Sequence, residues 1–193
     1  MESGAINCEP DVAGGGFFAP DSVAWRVLSS PASALMIAQI TNLLEVPHVD
    51  FQNVLVDHDP LFPTNRKRQR NHGGQRKSGH FHDRLRRTVG VPFPIVFGDK
   101  ESALACAARL TNYHRPMRGT AADGMTPYAA VNDHTMLFAA VTISHAALTA
   151  YEKFAFHGWR LPHRLPDVDR DSYFRDMAEL AVLMGAARQQ VPV

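Results

Sequence analysis

"NDHTMLFAAVTISHAALTAYEKF", residues 132–154, decides how this chain folds. Asn132 and Asp133 open it as helix-capping residues, and no proline or glycine interrupts it as far as Phe154. Small and apolar residues dominate, so the stretch predicts one long helix from the cap to about Lys153. At 3.6 residues per turn, His134, Phe138, Val141, His145, Leu148 and Glu152 fall along one side. His145 therefore reads as an imidazole within an apolar stripe, either a hydrogen-bonded core residue or a ligand to a cofactor. His134 and His145 are eleven residues apart, about 16 Å along a helix. They are too distant to chelate one ion, though both can line one elongated pocket.

The flanking sequence extends the helical pattern. "PDSVAWRVLSSPASALMIAQITNLLEV" (20–46) begins with an Asp21/Ser22 cap signal and continues through Val23, Val27, Leu35, Ile37 and Ile40. Pro31 predicts a kink or a break into two helices there. Asp99 caps "KESALACAARLTNYHRPMRG", with Ala103, Cys106, Leu110, Tyr113 and Met117 at three- and four-residue steps. "LPDVDRDSYFRDMAELAVLMGA" (165–186) places Tyr173, Met177, Leu180 and Met184 on one helical face. "HDRLRRTVG" (82–90) reads as a short basic helix, and "FPIVF" (93–97) as the one extended piece. The expected fold is all-α, a single-domain bundle of roughly five to eight helices. A flexible leader is expected over 1–20, the domain over 21–186, and a tail over 187–193.

Composition narrows the function classes. The chain has 193 residues and a net charge of +1, but Thr64–Arg87 carries nine Lys/Arg against one acid, Asp83. The rest of the chain is acidic, with a balance of −7. The basic segment, about 64–80, has no apolar periodicity and reads as a solvated loop insertion. A second reading makes it a salt-sensitive binder of nucleic acid or anionic membrane. It matches no nucleic-acid module, so no nucleic acid is expected as a partner. "MESGAINCEPDVAGGG" lacks the basic and apolar regions of a secretory signal, and no apolar run is long enough to span a bilayer. Cys8 and Cys106 form no disulfide or metal spacing. A cytoplasmic location with reduced thiols is the expectation. No P-loop, G-x-G-x-x-G, G-x-S-x-G or H-E-x-x-H pattern occurs. "GHFHD" (79–83) and "DHDPLF" (57–62) each lack the further ligands a zinc site needs.

Two further residues are candidates. Arg109 lies one turn before Tyr113 on a side that reads as semi-buried, where it needs an anionic partner; the alternative is an arginine reaching to the surface. His114, in the last turn of its helix, is explained by the helix dipole alone.

Taken in order, "DHDPLF", "DRLRRTVG", "VFGDKESALACAARLTNYHRPMRG", "PYAAVNDHTMLFAAVTISHAALTAYEKF" and "DRDSYFRDMAELAVLMG" resemble one family. It is the all-α oxygenase family of the mpaB type, which shares its catalytic domain with the rubber oxygenase called latex-clearing protein. The resemblance runs from about Asp21 to Gly185. It implies an oxygenase that holds heme b and uses dioxygen on an apolar, isoprenoid or lipid-like substrate. Arg109 and His114 fall at the family's pocket arginine and following histidine, the catalytic candidates, and Thr88 ends its "R-L-x-x-T" box. The family's iron-binding histidine falls at about Val141, which cannot ligate. His145, one turn on, is the nearest substitute for the heme iron, with His114 second. Arg109 and Thr88 complete the implied cofactor-binding set. Relatives also continue with more helix past the position of Val193. Two readings follow: a heme-dependent oxygenase, or a non-catalytic member of the fold that binds an apolar ligand or a partner protein. Oligomeric state is not legible in the sequence.

Overall fold

A computed structural model describes residues 15–59, 92–156 and 159–191. Thr88, the basic loop, the "RLRRT" segment, Cys8 and the histidines of "GHFHD" lie outside the described residues. Seven α-helices and a two-stranded antiparallel hairpin make up the described chain, so the all-α expectation holds.

Ser22 starts α1 (Val23–Leu28), its hydroxyl accepting from the Trp25 amide at 3.1 Å. Pro31 does not kink a helix but begins α2 (Pro31–Glu45), at a position where a missing N–H leaves nothing unsatisfied. α3 (Val49–His58) follows. "FPIVF" is not extended: it forms the helix α4 (Pro92–Phe97). The prolines occupy its first turn, where no intrahelical donor is needed. Ile95 and Val96 are fully buried, and that burial overrides their β-branched preference. Gly98 ends α4 where a Cβ would lie 2.5 Å from the Pro94 carbonyl oxygen, so only glycine allows this close turn. Asp99 caps α5 (Lys100–His114) by accepting from the Ser102 amide at 2.6 Å.

The long helix, α6 (Asp133–Phe154), starts from a capping box in which Asn132 and Thr135 each accept from the other's backbone amide. α7 (Asp167–Leu183) buries Tyr173, Met177 and Leu180 as expected, with Met184 just beyond it. The core begins before the expected boundary at Asp21, because Phe18 is buried among these helices.

α2 and α6 form the most extensive helix pair. Small residues are prominent among the buried ones of both: Ser33, Ala38 and Thr41 beside Ile37 on α2, and Ala140, Ala146, Ala147 and Ala150 beside Leu148 on α6. The Ser33 hydroxyl lies 2.7 Å from the Val27 carbonyl and 3.2 Å from that of Ala147, so it bridges both helices beneath the crossing. α7 closes the other flank, where the buried Tyr173 hydroxyl donates to the Ser144 carbonyl at 2.8 Å. Glu152 is structural: it accepts from the Leu165 amide at 2.9 Å and from Arg170 Nη1 at 2.5 and 2.6 Å, fixing the α6–α7 connection.

This packing corrects the reading of α6. Its buried arc is rich in alanine, serine and threonine and also holds Met136, Leu148 and Tyr151, while Val141 (38 % exposed) and His145 lie exposed. In an alanine-rich helix the apolar residues run nearly all the way round. Which of them face the core is then set by the neighbouring helices, and Val141 and His145 fall outside it while Leu148 falls inside. Leu35 of α2 is likewise exposed.

Ala147 has no exposed surface and sits against Ser33. Ala147→Leu is expected to lower unfolding stability by about 1–3 kcal/mol through overpacking. Urea denaturation followed by circular dichroism reads this directly; an unchanged midpoint would mean that α2 does not lie this close.

Candidate functional site

Sequence elements far apart in the chain meet at the hairpin. β1 (Arg118–Thr120) pairs with β2 (Pro127–Ala129), with Gly119 opposite Tyr128. The connecting turn is held by Asp123, which accepts from the Met125 and Thr126 amides at 2.8 and 2.9 Å and from the Thr126 hydroxyl. These bonds hold its carboxyl down at about 2. Asn132 ties the far end of the hairpin to α6, its side-chain amide donating to the Ala129 carbonyl at 2.9 Å.

Tyr128 is the residue that organises this region. Its ring is buried, its hydroxyl donates to Asp57 Oδ2, and His58 Nε2 lies 3.3 Å from that hydroxyl oxygen of Tyr128. Burial, reinforced by the Asp57 carboxylate, pushes the phenol up to about 12. Gly119 makes room for it, since a Cβ there would lie 2.8 Å from the Tyr128 hydroxyl. Asp57 and His58 at the end of α3, the glycine ending "HRPMRG" and the tyrosine of "PYAA" thus meet in one unit. Sequence reasoning missed Tyr128. The available signal was an aromatic facing a glycine across two short segments, which a three-residue strand is too brief to reveal.

His114 is the last residue of α5, directly before this hairpin, and its carbonyl accepts from the Met117 amide at 2.9 Å. The ring is half-buried, with Nδ1 3.0 Å from the Leu110 carbonyl oxygen. A carbonyl only accepts, so Nδ1 carries the proton and Nε2 keeps its lone pair. Burial lowers the pKa of His114 against the opposing effect of that hydrogen bond. The helix dipole favours a charged histidine here, and desolvation outweighs it. The result is a neutral imidazole whose outer nitrogen is a Lewis base.

The other expected site residues are distributed differently. Arg109 is exposed rather than semi-buried, and five residues separate it from His114, about 140° around the helix. His145 is exposed too, its ring resting on Phe174 of α7 at a centroid distance of 4.9 Å. His114 bonds within α5 and His145 packs on α7, so the two imidazoles have separate surroundings. His134 turns away from His145 toward α3, where it lies 3.7 Å from Asp50. With His48 these two residues form a group able to hold a metal ion, at the opposite end of α3 from His58.

The family described as ER-bound oxygenase mpaB/B'/Rubber oxygenase, catalytic domain, matches residues 25–193. Neither the curated proteins nor the solved structures yield a match. No helix among the described residues is long and apolar enough to cross a membrane.

An unfolded tyrosine ionises near 10, whereas Tyr128 in the folded chain is raised to about 12. Its contribution to stability is therefore full below about pH 10 and is lost as pH rises from there to about 12. Alkaline absorbance titration of the wild type against Tyr128→Phe should isolate this phenol, and Asp57→Asn should move it down toward 10. Titration at 10 in the wild type would contradict the Tyr128–Asp57 bond.

Proposed function

The chain belongs to the mpaB/B'/rubber oxygenase catalytic-domain family, and from that premise we propose that it is a cytoplasmic, heme b-dependent oxygenase. Its co-substrates are dioxygen and an apolar small molecule of isoprenoid or lipid-like character. The family supplies the reaction class; the observation that carries the cofactor assignment is the imidazole of His114. A histidine that would hold a heme iron must be neutral so that one ring nitrogen offers a lone pair, and it would be a stronger donor when its other nitrogen donates to a carbonyl. His114 meets each requirement through burial and the Leu110 bond. His145, the ligand expected from sequence, has its exposed ring held by Phe174 alone among the described contacts. His114 is accordingly placed first and His145 second.

Heme, when bound, supplies the dioxygen chemistry. The protein's share of the work falls on its own side chains. His114 Nε2 would hold the iron, and the Leu110 carbonyl, accepting from Nδ1, fixes the ring in one orientation. Arg109, a cation on the same helix, suits an anionic group such as a propionate. Thr88, at the end of the "R-L-x-x-T" box, belongs to the same cofactor-binding set. Tyr128, protonated at neutral pH as any phenol is, acts as a hydrogen-bond donor that Asp57 holds in place.

A second reading, a non-catalytic member that binds an apolar ligand or partner, is favoured by one observation. Val141, at about the family's ligand position, is an exposed valine with no donor atom, and its neighbour His145 is exposed as well.

The two readings separate in an ultraviolet–visible spectrum of purified protein before and after stoichiometric hemin. A Soret band that is kept in His145→Ala and shifted or lost in His114→Ala is the expected result. Loss with His145→Ala alone would overturn the His114 assignment. No band, with no change on adding hemin, would overturn the heme reading and favour the non-catalytic one.

A further inference from the structure

We propose that His48, Asp50 and His134 bind one divalent transition-metal ion, at a site separate from the His114 region. The three residues each offer a ligand atom, and these atoms lie within 4.8 Å of one another. His134 Nδ1 and Asp50 Oδ2 are 3.7 Å apart. Around one ion, with bonds of about 2.0–2.2 Å, neighbouring donors sit roughly 3.0–3.5 Å apart. His134 and Asp50, with side chains 69 % and 37 % exposed, have the freedom to close that small gap.

Local structure brings these residues together in two independent ways. His48 is the residue before α3, and Asp50 lies in that helix's first turn. His134 is the second residue of α6, whose start is locked by the Asn132–Thr135 capping box. The His48 side chain makes no capping hydrogen bond, although it occupies the cap position. Its ring instead lies against α6, with its centroid 4.2 Å from that of Phe138 and 5.5 Å from that of His134, and Phe51 meets it edge-on at 5.8 Å. Its Nδ1 is buried and has no hydrogen-bond partner among the described residues. A buried polar atom left unpaired is unfavourable. An imidazole held between aromatic rings beside a carboxylate and a second imidazole is arranged for ligation instead.

Charge and donor type set the kind of ion. Two helix N-termini face this region, and their partial positive charge opposes a cation. Asp50 in the first turn of α3 and Asp133 in that of α6 offset it. Two imidazoles and one carboxylate suit zinc, iron(II) or cobalt(II) rather than magnesium or calcium, which require oxygen ligands. The exposure of His134 leaves room for water or an exogenous ligand to complete the coordination sphere. The His114 region lies toward the other end of α3, a helix of ten residues and about 15 Å.

The test uses tag-free, full-length protein without hemin, titrated with cobalt(II) and followed by visible absorbance, with zinc(II) as competitor. One cobalt(II) per chain is expected, displaced by zinc(II). Asp50→Asn and His134→Ala should each weaken binding about tenfold or more, and both positions are exposed enough to leave the thermal melt of the metal-free protein unchanged. His80→Ala/His82→Ala should leave binding intact. Absence of stoichiometric binding would overturn the proposal. So would binding that survives Asp50→Asn and His134→Ala, or that is lost only in the His80/His82 variant. Hemin plays no part in these readouts, so failure here is distinguishable from failure of the heme reading.

Discussion

The close approach of α2 and α6 is the constraint on which the rest of the structure depends. Both helices bury several alanine, serine and threonine side chains, and Ser33 ties them directly through its hydrogen bond to the Ala147 carbonyl. Once α6 is fixed against α2, the direction of every side chain along it is fixed as well. Thr142 is brought to within 2.9 Å of Glu45 at the end of α2, and Ser144 presents its carbonyl to Tyr173 of α7. Val141 and His145 are left outside as a consequence. Packing, not the chemistry of the individual residue, decides that this histidine lies exposed.

The same rotation places the start of α6 beside α3. From the Asn132 cap, order passes backward through Ala129 to the hairpin, and from Tyr128 across to Asp57 at the end of α3. His114 leads into the hairpin from the other side, through the bond between its carbonyl and Met117. α3 has no fully buried residue of its own, and its ends are tied through polar groups and aromatic contacts rather than a deep core. A helix held in this way can position functional groups at both termini, and its two ends carry the two sets of candidate ligands.

Much of this was legible from local patterns. Ser22, Asp99 and Asn132 are capping residues by type and position, and each caps its helix. The Tyr173–Met177–Leu180 face of α7 follows from periodicity alone. Local patterns failed where tertiary packing prevailed. Ile95 and Val96 favour an extended chain in isolation, yet burial against α5 and α7 makes them helical. The hairpin strands are three residues each, too short for alternation to register. His145 was misjudged because an alanine-rich helix has no single apolar stripe to read. The tie between Tyr128 and Asp57 spans 71 residues, and that between Asp50 and His134 joins two helices across a still longer stretch of chain. Neither can be inferred from spacing. The family resemblance identified the order of the motifs, while the structure supplies the reason that three of them belong together.

The cofactor assignment stands on His114 being a neutral imidazole with its proton on Nδ1 and a lone pair on Nε2. Nitrogen-15 NMR of histidine-labelled protein at neutral pH, with His114→Gln to assign the signal, measures this directly. One ring is expected with a protonated Nδ1 and an unprotonated Nε2 at neutral pH, taking up its second proton at a lower pH than an exposed histidine. A His114 that carries its proton on Nε2, or that is already an imidazolium at pH 7, would contradict it.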